Sequence, residues 1–365
     1  MFRDRAPNSD DRLFNGRYDV ASVNSRREIW STDAVAFCVL ALVAGIVLVI
    51  YPPALVPALP ILSLVFYLFV RGVHYKANLT PEEFFLHSRE MNEKDFVPSF
   101  VSSNIGLFSS IIFSIALVIQ HGPAGVIIPV LAWVAGMYLF SRSIPSLLPF
   151  FKKGSTLHEY IAINYARSPE GQGKLRAWTA AITALLYFAS VVVEIKVIAD
   201  VVGPIFGVAE AAAIAILAAC VGVGYTYLSG YRGVVRTDFY QFWFMILMAA
   251  SLAIGSGYLL FNSPWQIPPD FLTLKAWTVG ADGFSIFTMA LLLVLYQFCV
   301  MDMWQRCIAM SKARKRDGSQ YSDLELAALL RRKTFLGAVP PFVILFGCWY
   351  LAGFAGLVLN ISPDN

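Results

Sequence analysis

Nine apolar runs of about 18 to 28 residues punctuate this chain, each long enough to cross the ~30 Å hydrocarbon core of a bilayer as a helix. With a window of about 19 residues they cover approximately 34–51, 54–72, 98–120, 123–145, 176–203, 208–229, 237–262, 283–304 and 334–359. Runs of this length select α-helices, because hydrocarbon offers the backbone no other hydrogen-bond partner. The composition agrees: 14% of the 365 residues are charged and 58% hydrophobic, against about 25% charged in soluble domains. Mean hydropathy is +0.63. The expected class is an all-α polytopic membrane protein.

The connecting segments alternate in charge. Arg3, Arg5, Arg12, Arg17, Arg26 and Arg27 precede the first run, and Arg71, Lys76, Arg89 and Lys94 follow the second. Further basic groups stand between runs four and five, between six and seven (Arg232, Arg236), and between eight and nine (Arg306 to Lys333). The opposite loops hold only Lys275. By the positive-inside rule the N-terminus is cytoplasmic and the C-terminus external. The net charge of +4 follows from this placement and needs no nucleic acid. Cys38, Cys220, Cys299, Cys307 and Cys348 show neither disulfide nor zinc spacing. The first run ends in Tyr51-Pro52-Pro53 without a small-residue cleavage site, which reads as an anchor. The expected organisation is a cytoplasmic tail (1–33), an extra anchor (34–53), a helix and loop (54–97), a five-helix unit (98–262) and a loop with two further helices (263–365).

One run differs in texture. Ser102-Ser103-Asn104-Ile105-Gly106-Leu107-Phe108-Ser109-Ser110 places hydroxyls, an amide and a glycine inside a membrane-length segment. Two readings are open: a helix broken to expose carbonyls to a small cation, or small residues allowing close helix packing. No phosphate loop, nucleophile elbow or paired metal motif occurs, so an enzyme is not expected. Ionisable residues within the runs are functional candidates by default. Lys196 and Asp200 are spaced to pair on one face, as are Asp302 and Arg306. Asp238 lies within a turn of the cytoplasmic edge, where snorkelling or capping accounts for it. Glu194 is mid-run, and His121 reads as a solvated external turn. Tyr296 and Gln297 lie deep in the eighth run, and both are candidate substrate contacts, Gln297 the better of the two. The stretch Tyr321 to Leu330 reads as a short amphipathic helix leading into the ninth run.

Five local motifs resemble the sodium/solute symporter family. Glu82-Glu83-Phe84-Phe85-Leu86-His87-Ser88-Arg89 is similar to its E-D-F-F-L-A-G-R stretch, and Ser103-Asn104-Ile105 to its T-N-I. Gly154-Ser155-Thr156-Leu157-His158-Glu159-Tyr160 resembles G-x-x-T-L-x-E-[FY], and the run from Ser229 to Gln241 resembles G-G-x-x-x-V-x-x-T-D-x-x-Q. Gln305-Arg306 with Ala309 and Lys312 resembles Q-R-x-x-A-x-K. The resemblance implies a five-plus-five inverted-repeat fold, here incomplete, in a bacterial inner (plasma) membrane. It implies sodium as coupling ion, a small organic solute, and no other cofactor. Carbonyls near Ser102 and Ile105 would hold sodium, Asp238 would lie on its inward exit, and Ser109 would face the solute.

The match has departures. Gly106-Leu107-Phe108 replaces the usual S-A-E, and the segment Val126 to Trp133 has no acidic sugar-binding counterpart, which points away from sugars. The core helix that supplies sodium-site hydroxyls in the family has no counterpart before Asn365, so a second chain or a longer locus is expected to complete the site. The alternative expectation is a non-transporting membrane module serving as sensor, scaffold or partner subunit.

Overall fold

The computed structural model describes residues 80–264, 286–315 and 317–359. Runs one and two, most of the segment after Asn262 and the last residues lie outside the described residues, as do the side chains of residues 107–109 and of parts of 201–217. Twelve α-helices follow in order: α1 (Pro81–Leu86), α2 (Glu93–Ser102), α3 (Leu107–His121), α4 (Ala124–Lys153), α5 (Leu157–Tyr165), α6 (Pro169–Phe206), α7 (Val208–Ser229), α8 (Tyr231–Asn262), α9 (Ile286–Cys299), α10 (Met301–Ala309), α11 (Asp323–Arg332) and α12 (Val339–Val358). No strand occurs among the described residues; the only pairing of that kind is an isolated bridge between Arg314 and Gln320. Five stretches are long and apolar enough to cross a membrane: Ala124–Lys153, Pro169–Asp200, Tyr231–Asn262, Ile286–Ala309 and Asp323–Val358. The chain is thus an all-helical protein of polytopic membrane type.

Local chemistry fixes the helix ends. Thr80 and Glu83 form a reciprocal capping box at α1, as do Ser322 and Glu325 at α11. Thr156 caps α5, and Ser168 with Pro169 starts α6. Lys152 and Lys153 end α4 where the helix dipole favours cations. Between α7 and α8 the chain turns at Gly230, φ +61°, and a Cβ there would lie 2.5 Å from the Phe84 carbonyl oxygen. Only glycine fits that seat, and it sets the start of α8 against α1.

α4 packs along α9, α3 along α12, and α8 along both α2 and α12. Aromatic side chains fill the junction: Trp304 of α10 meets Phe140, Phe150 and Phe151 of α4 and Tyr160 of α5. In contrast, Leu185, Leu186 and Phe188 of α6 are 68%, 62% and 67% exposed, the pattern of a lipid-facing helix.

Three sequence expectations change. His121, expected to be solvated, is 1% exposed, because Gly122-Pro123 folds the first turn of α4 back onto the end of α3, with Gly125 packed against the Leu117 carbonyl. Arg89 and Arg306, counted among loop charges, are 4% and 2% exposed. Arg89 Nη1 donates to the carbonyls of Phe151 and Gly154 at 2.6 and 2.8 Å, capping the end of α4. Those bonds hold His87, Ser88 and Arg89 in consecutive left-handed conformations, φ 54°, 55° and 59°, each costing about 1–2 kcal/mol. The ninth run is longer than its apolar core: α11 passes through a π-turn at Lys333–Gly337 into α12.

Candidate functional site: two interrupted helices and a buried ionic latch

The third run breaks between Ser102 and Leu107. Ser103 N–H donates to the Ser99 carbonyl and Asn104 N–H to Val101, both at 3.1 Å. The Asn104 amide Nδ2 donates to Phe100 O at 2.7 Å. These bonds finish α2 in the way a C-terminal cap does. Asn104 Oδ1 stays buried with no hydrogen-bond partner, an acceptor inside the break. The end of α2 and the start of α3 therefore bring negative and positive helix-dipole ends to one place.

The eighth run also breaks, at Val300, which is extended (φ −85°, ψ 119°). Here Trp304 Nε1 donates to the Phe298 carbonyl at 3.1 Å, satisfying an acceptor that the missing helical turn has freed.

Below the two breaks lies a cluster centred on Arg306 of α10. Its Nη2 pairs with Asp238 Oδ2 of α8 at 2.9 Å, and its Nη1 with Asp302 Oδ1 at 3.0 Å. Ser99 of α2 completes the triangle, donating from Oγ to Asp238 Oδ2 at 2.6 Å and accepting from Arg306 Nε at 3.2 Å. Ser102 Oγ donates to the Asp238 backbone carbonyl at 2.8 Å. From α6, Tyr187 donates its hydroxyl to Asp302 Oδ2 at 2.8 Å. The guanidinium lies 5.3 Å from the centroid of the Tyr231 ring, a cation–π contact. One guanidinium thus ties α2, α8 and α10 together, with α6 attached through Asp302. Removing one partner of such a buried pair costs far more than the intact pair contributes.

A second layer joins the segments outside α2 and α10. Met91 N–H donates to Ala309 O and Lys312 N–H to Arg89 O, each at 2.8 Å. Arg314 donates from Nε and Nη2 to Glu90 Oε1 at 3.0 and 2.9 Å. Tyr321 donates to Glu93, with Lys333 nearby at 3.5 Å. The Tyr321 hydroxyl, followed by the Lys333 charge, holds the Glu93 carboxyl below the usual glutamate range despite partial burial. These bonds tie the segment leading into α2 to the end of α10 and the segment that follows it.

Of the residues singled out from the sequence, Ser102 and Asp238 meet in the latch, and Ile105 is 6% exposed within the first break. Asp238, only 5% exposed, is held by Ser99 and Arg306 and neither snorkels nor caps. Gln297 is fully enclosed and donates from Nε2 to the Trp133 carbonyl of α4 at 3.2 Å, while its Oε1 has no partner. Tyr296 is 39% exposed. Ser109 lies in α3 with its side chain outside the described residues. Lys196 and Asp200 pair at 2.6 Å on an exposed face, and Asp302 pairs with Arg306 as spaced. Ser99, Tyr187 and the burial of Arg306 were missed; two carboxylates within apolar runs, with an arginine one turn after the second, were the available signal. No group of three or more His, Cys, Asp or Glu side chains able to hold a metal ion occurs among the described residues. Comparison with protein-family models, with curated proteins and with solved structures finds no match for this chain.

Proposed function

We propose that the chain is a secondary active transporter that moves a small organic solute by alternating access, coupled to a cation. Sodium is the ion its motif resemblance implies. The observation that carries this reading is the pair of interrupted membrane helices whose half-helices α2 and α10 are joined to α8 by the buried Arg306 cluster. Broken helices at membrane depth occur where backbone polar groups line a binding cavity. On this reading the basic face is cytoplasmic, the membrane is a bacterial inner membrane, and the described state is closed towards the cytoplasm.

The order of elements supports a five-plus-five repeat: a broken helix begins at α2, four more long elements end with α8, and a second broken helix begins at α9. Carbonyls between Ser102 and Ile105, with Asn104 Oδ1, would serve the cation; Ser109, Tyr296 and Gln297 would serve the solute. Opening would separate Arg306 from Asp238 and swing α2 and α10 away from α8. A ligand drives such a change only by binding the two states unequally, and neutralising the break is one way to do so.

The test uses membrane vesicles from cells expressing the intact locus, with a sodium gradient imposed and a panel of labelled amino acids and small carboxylates. Gradient-dependent accumulation of at least one is expected, with loss in Arg306→Leu. Membrane localisation without accumulation of any solute would favour a non-transporting module and overturn the transport reading.

A further inference from the structure

The seam between α4 and α11 carries positive charge that no neighbouring carboxylate answers. Two contacts fix its register: the Tyr138 ring meets Phe335 with centroids 5.6 Å apart, and nearer the far end of α4 Lys152 pairs with Asp323. The two helices therefore run antiparallel. One helical turn from the first contact towards the second brings Arg142 of α4 and Arg331 of α11 to the same level, on the faces that Tyr138 and Phe335 mark. Both arginines are exposed, and neither side chain has an ion pair or hydrogen bond with another described residue. The nearby carboxylates are already taken: Asp323 by Lys152, Glu325 by Lys315, and Glu93 by Tyr321 and Lys333.

Depth gives this charge its meaning. The fourth apolar run ends near 145 and the ninth begins near 334, so Arg142 and Arg331 stand where hydrocarbon gives way to headgroups. Immediately deeper, the same two strands of the seam expose Leu131 and Leu139 on α4 and Leu336 in the π-turn. We infer that the seam binds an anionic phospholipid, its phosphodiester held between Arg142 and Arg331 and its acyl chains lying along Leu131, Leu139 and Leu336. A guanidinium offers phosphate a planar pair of donors, and basic recesses between membrane helices take anionic headgroups. Charge complementarity selects the occupant. A zwitterionic lipid brings its own cation to a place that already holds two, whereas phosphatidylglycerol brings negative charge alone. Free phosphate gains the arginines but nothing from the apolar strip. The inference goes beyond the transport reading and does not rest on it.

The experiment is native mass spectrometry of the full chain released from micelles, after titration with phosphatidylglycerol, with phosphatidylcholine or with inorganic phosphate. A single tightly held phosphatidylglycerol is expected, with phosphatidylcholine weaker by about fivefold or more, the contribution of one basic residue at a membrane surface. Arg142→Gln and Arg331→Gln are each expected to weaken phosphatidylglycerol about fivefold and to leave phosphatidylcholine unchanged. Arg142→Lys is expected to fall between, because it keeps the charge and loses the planar fork. Arg232→Gln removes the same charge from an exposed position at the start of α8 and is expected to bind like the unaltered chain. Thermal melts without added lipid check that each variant is folded. Equal retention of the two lipids, an equal loss in Arg232→Gln, displacement of the lipid by inorganic phosphate at matched concentration, or a lipid-free dimer that parts in Arg331→Gln would each overturn the proposal.

Discussion

The break between α2 and α3 is written in its own residues, whereas the break between α9 and α10 is not. Around the first stand Ser102, Ser103, Asn104 and Gly106, and the Asn104 amide caps the helix it ends. Around the second the chain reads Tyr296-Gln297-Phe298-Cys299-Val300-Met301, with no glycine, proline, serine, threonine or asparagine. What interrupts it comes from farther away: Trp304 donates to Phe298 O, Gln297 is anchored on Trp133, and Arg306 is drawn towards α8. A locally encoded break survives rearrangement, while one imposed by tertiary contacts can be undone by releasing them. The second is therefore the element through which a latch can act.

This contrast predicts an all-or-none difference between isolated segments. A peptide covering 93–121 in detergent micelles should keep its interruption, whereas one covering 286–309 should become a continuous helix through Val300. NMR chemical shifts read this directly, and a persistent break in the second peptide would erase the distinction. In the whole protein the largest energetic effect belongs to Arg306→Leu, which strands two carboxylates and should cost about 3–5 kcal/mol, measured by denaturant unfolding in micelles. Trp304→Phe keeps the ring contacts but leaves the Phe298 carbonyl unpaired. It should cost about 1–3 kcal/mol, and an unchanged midpoint would show that the indole N–H is not what holds the second break open.

The smallest effect is at the outer tie. The carboxyl of Glu93 is held below its ordinary value of 4.5, so its contribution is complete above that pH and is lost as pH falls through the lowered value. Glu93→Gln should remove this contribution at neutral pH and with it the loss on acidification through the lowered value, and thermal melts between about pH 3 and pH 7 resolve it. Retention of the acid loss in the variant would assign it to other carboxylates.

The same contrast explains what was legible in the sequence. Hydropathy alone gave the helical class and, among the described residues, the places of the long spans, because bilayer thickness acts on every residue of a run; α4, α6 and α8 extend several residues beyond the apolar limits. The first break was visible as one of two readings, since its cause is local. The second rests on Arg306, whose charge sign placed it with the loops; only its partners on α2 and α8, 207 and 68 residues away along the chain, reveal it as interior. Gln297 was correctly marked as unusual at depth, but its partner is a backbone carbonyl of α4, a contact that no spacing within one helix encodes. His121 and Arg89 were misjudged for a related reason: burial at a turn depends on which helix folds back over it.

The central claim is that the Arg306–Asp238 pair seals the basic face, and the chain carries its own reporter. Cys307, next to Arg306, is fully enclosed. With Cys38, Cys220, Cys299 and Cys348 replaced by serine, Cys307 labelling by a membrane-impermeant maleimide can be timed in inside-out vesicles. Slow labelling is predicted for the intact latch, and Asp238→Asn should accelerate it about tenfold or more, since ~1.4 kcal/mol of lost closure shifts the open population by that factor. Equal rates in the two proteins would contradict the account.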